Sequence, residues 1–307
     1  MAEADSTSTP RVTRRAQARL GIFLVAPLVL LVILFFILTL ATSVYFSVVD
    51  FHGFEADPPF VGLDNFTALA ADPNVWPALL NNIIWIVVGT VAPLLIGLLV
   101  ALLLWNVRRG STFYRLAFFL PYVLPAAAIG VVWSWIYDPI RGWLNRLLEL
   151  IGLGELATGW LGNPDTALWA VLGTAVWTAT GFVVVIFLAA LRNVDPELID
   201  ASRIDGAGPL QRLWSVILPQ IMPVFLMVTT ITLIGGFAVF DIIFVMTGGG
   251  PADATEVLGT YAYRNAFNLN QMSYGTALAL VITVLAIPFA IGLNRLQRRL
   301  SMYRTGA

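Results

Sequence analysis

Six stretches of this chain contain no charged residue: Leu20 to Val49, Pro73 to Val107, Leu116 to Tyr137, Thr166 to Leu191, Leu213 to Phe240 and Asn265 to Asn294. Each reaches or exceeds the roughly 20 apolar residues a helix needs to cross about 30 Å of hydrocarbon. Of the 307 residues, 59% are apolar and 11% charged, too few polar side chains to coat a water-soluble surface of that size. The runs are continuously apolar, whereas membrane β-strands alternate apolar and polar residues over about ten positions. The sequence therefore predicts an all-α integral membrane fold with six transmembrane helices over 20–295, between polar tails at 1–19 and 296–307. The first tail is expected to be mobile.

Charge placement gives the helices an orientation. All 17 basic residues are arginine. Arg11, Arg14, Arg15 and Arg19 precede the first run; Arg108, Arg109 and Arg115 separate the second from the third; Arg192, Arg203 and Arg212 separate the fourth from the fifth; Arg295, Arg298, Arg299 and Arg304 follow the sixth. Only Arg141, Arg146 and Arg264 fall on the opposite side. Basic residues collect in cytoplasmic loops, so a multi-pass protein of the cell membrane with both termini in the cytoplasm is expected. The opposite loops are acidic, with Asp50, Glu55, Asp57, Asp64 and Asp72 in a segment that has no arginine. An arginine-rich start before an apolar run is also the pattern of a secretory signal, but signal cores span about 7 to 15 residues. The first run is about twice that and is expected to be retained.

Between the runs, Trp143 and Trp160 in the second acidic loop suit a membrane interface, where an apolar ring meets water. Pro121 and Pro125 lie in the third run and break backbone hydrogen bonds at membrane depth, which is tolerated where protein or a wet cavity satisfies the freed carbonyls. The third run is thus a candidate cavity wall. The segment 194–219 differs from every other arginine-side loop. Asp195-Pro196-Glu197 reads as an N-cap, a proline at the first helical position and an acid in the first turn, predicting a helix over about 196–205. Gly206-Ala207-Gly208-Pro209 stops it, and Leu210 to Ile217 restart a helical pattern.

Within this segment, Asp200-Ala201-Ser202, Gly206, Val216 and Leu218-Pro219 are spaced as in the cytoplasmic EAA loop of importer-type ABC permeases, which the chain resembles. Asp, Ser and Val replace the family's Glu, Ala and Ile. The Ile204-Asp205-Gly206-Ala207 string of the sugar-importer branch is intact. Phe60-Val61-Gly62-Leu63-Asp64-Asn65-Phe66 is similar to the segment before the second core helix of maltose-type permeases. Phe118-Phe119-Leu120-Pro121 with Trp133 resembles their third core helix, and Phe240-Asp241-Ile242-Ile243-Phe244 followed by Thr247-Gly248-Gly249-Gly250-Pro251 resembles the end of their fifth. The resemblance spans nearly the whole chain. It implies a permease subunit that moves a sugar or sugar-like solute by alternating access. Its implied partners are a second homologous permease, two ABC ATPase subunits and an extracytoplasmic solute-binding protein, besides the lipid bilayer around the spans. Glu197, Asp200, Ala201, Ser202, Asp205, Gly206, Ala207, Leu218 and Pro219 are then the residues that dock on the ATPase. Small side chains permit close approach, the glycine permits the turn and the acids can pair with cations.

Carried over by local alignment, the resemblance puts the substrate pathway on Tyr122 and Ala126, on Ala175, Thr178, Ala179 and Phe182, and on Thr232, Gly236 and Val239. Steps of three and four place the last two sets each on one helix face. Aromatic rings can stack on a sugar and hydroxyls can bond its OH groups. The competing reading is that such threonines bond their own helix and the rings merely pack. Asp241, near the outer end of the fifth predicted span, is expected to serve a gate or a structural pairing. His52, the sole histidine, is expected to be solvated.

Other functions find little support. Lysine is absent, so no GxxxxGK[ST] loop exists; no cofactor is expected in this chain, and ATP and Mg would sit on the partner ATPases. One histidine outside the spans and no cysteine leave no buried Ser-His or Cys-His pair, no metal site and no enzyme reading. An ion-coupled secondary transporter would want charge relays inside the spans. A glycerol-phosphate-type importer shares the same pattern, although phosphate usually recruits Arg or Lys and the spans contain none. A net charge of −1 gives no field for nucleic acid.

Overall fold

The computed structural model describes residues 14–53, 55–107 and 109–305, with the helix ends 14–20 and 298–305 as backbone course alone. Arg11, Arg108 and most of the expected N-terminal tail lie outside the described residues. The first run forms α1 (Arg14–Val32) and α2 (Leu38–Ser47), joined through a π turn, Ile33–Ile37. Then follow α3 (Asp64–Ala71), α4 (Val75–Trp105), α5 (Ser111–Val123), α6 (Ala126–Ile136) and α7 (Trp143–Leu150). The fourth run is α8 (Pro164–Leu191); α9 (Pro196–Ile204) and α10 (Pro209–Arg212) occupy the segment 194–219; α11 (Leu218–Phe237) is the fifth run. The chain closes with α12 (Asp241–Met246), α13 (Leu258–Tyr263) and α14 (Met272–Thr305). Among the described residues there is no β-strand, only one antiparallel bridge between Val49 and Phe60.

Among the described residues five helices are long and apolar enough to cross a membrane, and a sixth span results if α5 and α6 count as one. These two meet at a 100° bend, far sharper than a kink. Leu124 is extended (φ −72°, ψ 144°) because it precedes a proline. Pro125 lacks the N–H that would continue the helix. Pro121, expected to break the run as well, instead stays inside α5. Two expected boundaries also move. The sixth run was expected to begin at Asn265, but a π turn over Arg264–Asn268 and a left-handed Asn270 (φ 54°) delay the helix to Met272. At the chain ends, helix covers residues 14–19 and 296–305, segments expected to be tails.

The core forms where α4, α8 and α11 meet. Leu94, Ala101, Val183, Val184, Phe187, Leu191, Ile217, Leu218, Ile221 and Val228 are buried together toward the arginine-rich end. A second cluster joins Trp85, Ile129, Leu172, Ile243 and Val257 toward the acidic end. In lipid, helices gain little from burying apolar surface and associate through close packing at small residues. Gly97 on α4 admits Val183, whose Cγ1 would lie 2.5 Å from an added Cβ. Gly181 on α8 lets α5 pass so closely that a methyl there would overlap the Phe118 carbonyl oxygen. The span from Gly21 to Ser47 is different, with none of its apolar window buried.

At the acidic end the loops are tied down by polar contacts. Asn65 Nδ2 donates to the carbonyls of Ser47 (2.9 Å) and Val49 (3.0 Å), fixing the end of α2. Asp72 Oδ2 accepts from the Tyr261 hydroxyl (2.5 Å) and from that of Tyr274, joining the first loop to α13 and α14. Partial burial pushes the Asp72 carboxyl up, but the two phenols and the Asn74 amide outweigh it and hold it below its ordinary value. Of the two tryptophans expected at a lipid interface, Trp160 donates its Nε1 to Asn145 Oδ1 at 2.7 Å and Trp143 is 63% exposed.

Two outcomes are expected. Gly181→Val should lower thermal stability in detergent by about 1–3 kcal/mol through overpacking, while Gly235→Ala, with nothing within 4 Å of its added Cβ, should melt with the parent. A Tyr261→Phe, Tyr274→Phe double variant should lose about 1.5–3 kcal/mol at neutral pH, toward the low end because the site is half-exposed. The lowered carboxyl stabilises the fold above its ordinary pKa. The gap between parent and variant should therefore close as pH falls through the carboxylate range, as read by melting temperature against pH.

Candidate functional site: an exposed loop and an open bundle face

The segment 194–219 is built as its residues dictate. Asp195 caps α9, its Oδ1 accepting from the Glu197 N–H at 2.9 Å. Its own N–H donates to Gln220 Oε1 on α11 at 3.0 Å, so the start of α9 is fastened to the next span. The helix ends with Gly206 left-handed at φ +76°. The Ala207 N–H reaches back to Ser202 O (2.9 Å) and the Gly206 N–H to Arg203 O (3.1 Å), the paired bonds that satisfy a helix C-terminus around a glycine. Arg212 Nη2 donates to Ala207 O at 3.1 Å and braces the elbow.

What this loop presents is a mixed surface. Ile204 is 87% exposed, Leu210 68%, Trp214 66% and Leu198 50%. Asp200 pairs with Arg203 at 2.8 Å, both exposed. Glu197, Ala201, Asp205 and Pro219 are exposed, whereas Ser202 and Leu218 are buried and seat the loop on the bundle. Large exposed apolar side chains beside charged ones form a patch suited to another protein.

The expected pathway residues divide. Tyr122 stacks on Phe182, with ring centroids 4.7 Å apart and 22° between planes; Tyr122 is exposed, and Ala126, Ala175, Thr178, Ala179 and Phe182 are half-buried. The stacked rings set Tyr122 of α5 against a partly open strip of α8 that carries Ala175, Thr178, Ala179 and Phe182. Thr178 and Thr232 spend their hydroxyls on the carbonyls of Thr174 (2.9 Å) and Val228 (3.0 Å), as the competing reading held. Gly236 and Val239 do not belong to an open face. Gly236 is packed on Ile86 of α4, 3.1 Å from an added Cβ, and Val239 joins the second core cluster. The open face of α11 carries Ile231, Ile234, Gly235 and Ala238 instead, because α11 presents the Gly236 side to α4 to gain close packing.

Asp241 is exposed at the start of α12 and, among the described residues, has no ion-pair partner. The buried acid is Glu256, 2% exposed. Arg264 Nη1 lies 2.8 Å from Glu256 Oε2 and 2.5 Å from Asp253 Oδ1, with its guanidinium over the Tyr261 ring at 5.0 Å. Burial pushes the Glu256 carboxyl up, against the pull of Thr260 and Arg264. Two amides that the sequence reading passed over hold this region. Asn81 Nδ2 donates to the carbonyls of Ala254 (3.1 Å) and Glu256 (2.8 Å). Asn82, 3% exposed, accepts from the Leu258 N–H (2.9 Å) and donates to Gly236 O (3.3 Å). Two adjacent amides in an otherwise apolar run were the available signal. His52 is half-exposed beside Asp50 and Glu55. Among the described residues no group of three or more His, Cys, Asp or Glu can hold a metal.

Residues 93–302 match the family described as the binding-protein-dependent transport system inner membrane component. The chain is 35% identical over 272 residues to the probable ABC transporter permease protein YurN of Bacillus subtilis, covering 88% of this chain and 92% of that one. It is 30% identical over 287 residues to the trehalose/maltose transport system permease protein MalF of Thermococcus litoralis, covering 94% and 96%. Its fold matches a chain in the crystal structure of the bacterial alginate ABC transporter in complex with alginate pentasaccharide-bound periplasmic protein, with a TM-score of 0.79, 20% identity and coverage of 95% and 98%. The chain belongs to the binding-protein-dependent transport system inner membrane components.

Proposed function

We propose that this chain is one permease subunit of an ATP-driven importer that carries a sugar or sugar-like solute into the cytoplasm by alternating access. The observation that supports the reading most is the segment 194–219, a capped helix and glycine elbow fastened to α11 and faced with exposed Leu198, Ile204 and Leu210. Such a patch offers an ATPase subunit apolar anchors and a charged rim. In this reading Glu197, Asp200, Ala201, Asp205, Gly206, Ala207 and Pro219 face the ATPase, and Ser202 and Leu218 hold the loop to the bundle. The arginine-rich end is cytoplasmic, with both termini. The acidic end receives a solute-binding protein.

A sugar as cargo is supported by the names of relatives that serve trehalose or maltose and by the stacked Tyr122–Phe182 pair on the open strip. Flat rings suit the apolar face of a pyranose. Thr178 and Thr232 are occupied by their own helices, so most hydroxyl partners come from a second permease, which closes the open strip into a pathway. With no cation in the spans, a neutral saccharide fits better than a phosphorylated solute.

Purified in mild detergent, the tagged chain should carry ATPase subunits with it; recovery of a lone, transport-competent chain would rule the reading out. Gly206→Val, which forces a β-branched residue into the left-handed region, should reduce uptake at least tenfold, with membrane insertion and Tm in detergent near the parent's. Tyr122→Ala should raise the KM for uptake more than it lowers the maximal rate, read from initial rates in proteoliposomes.

A further inference from the structure

The α11 helix starts at the cytoplasmic loop, where α10 and the π turn run into it as one span to Phe237. It ends at Phe237, and Phe240 (φ −152°, ψ −62°) turns the chain before α12. Beyond Phe237 a displacement of the loop is not carried on by that helix's backbone. Helix α4 is not interrupted: its 31 residues span about 46 Å at 1.5 Å per residue, with Pro93 accommodated inside it.

Both ends of α4 are engaged. Toward the inner end, Leu94 and Ala101 share one buried cluster with Ile217 and Leu218 at the close of the loop and with Ile221 just after it, and half-buried Ile199 of α9 packs on the same cluster. At the outer end, Asn82 bridges the interruption. Its amide donates to Gly236 O before the break and its carbonyl accepts from the Leu258 N–H after it. Asn81 grips the carbonyls of Ala254 and Glu256 in the loop between. That loop is itself stiffened by the hydroxyls of Thr247 and Thr255 (2.7 Å) and by Arg264 between Asp253 and Glu256.

We propose that α4 is the rod that couples the two faces of the subunit, and that Asn81 and Asn82 are the positioning residues that fasten it to the outer segment 247–258. The inference rests on the importer reading. A shift of the ATPase-docking loop moves Ile217 and Leu218, these carry α4, and the paired amides deliver the shift to the outer segment. Coupling is reciprocal, so a binding protein seated on the outer face acts on the ATPase site through the same amides.

The test uses the complete importer, with its partner subunits, reconstituted in proteoliposomes, and measures ATP hydrolysis with and without saturating solute-loaded binding protein. Asn81→Ala, Asn82→Ala and the double variant should keep the basal rate while stimulation by the binding protein falls roughly five- to tenfold or more, the scale of an ordinary allosteric coupling. A second variant guards against a simple folding defect. The chain has no cysteine of its own, so Asn81→Cys with Ala254→Cys can be joined by a short bis-methanethiosulfonate linker, and this locked pair should restore stimulation and uptake to near the parent level. Retained stimulation in the alanine variants, or arrest of uptake by the linker, would overturn the inference. A parent complex with no ATP-driven uptake would instead overturn the importer reading beneath it.

Discussion

Within hydrocarbon every backbone N–H and C=O must find a partner inside the protein, because no water is available to take its place. The same pairing of backbone groups recurs wherever a helix stops, within the spans and beyond them. At the break between α11 and α12 the carbonyl of Gly236 and the N–H of Leu258 both face the single amide of Asn82. At the acidic end, Asn65 collects the carbonyls that follow α2, and at the other end the Gly206 elbow returns the last amides of α9 to Ser202 and Arg203. The asparagines are therefore the joints of the structure, placed where helices must stop.

Close packing supplies what lipid withholds. Since hydrocarbon tails are as apolar as leucine, α4, α5 and α8 are held by contact, and contact depends on Gly97 and Gly181 admitting a neighbour's side chain or backbone. The same demand turns α11 so that Gly236 faces Ile86, which leaves Ile231, Ile234 and Gly235 on the open side. A pathway wall is thus set by which helix face packs inward, and only the remaining face is free to meet a solute or a second chain.

The two ends of the bundle are built differently. The acidic end is stiff, with Arg264 between two carboxylates and Asp72 between two phenols. The arginine-rich end presents α9 on a capped turn, tied by Asp195 to Gln220 yet exposing Leu198 and Ile204. One face is preassembled and the other is left for a partner to cover.

The sequence by itself determined the number of apolar runs, the charge asymmetry, the capped helix at Pro196 and its glycine stop, because these rest on local chemistry: transfer of side chains into lipid, a carboxylate on free amides, a left-handed residue without a Cβ. It also marked Tyr122 and Phe182 for one strip. Tertiary structure alone decided that Pro125 bends the third run by 100° while Pro121 stays inside α5. It alone decided that Gly236 and Val239 face inward and that Asn82 binds residues more than 150 positions away. Helical periodicity groups residues on a face but does not say which neighbour that face will meet.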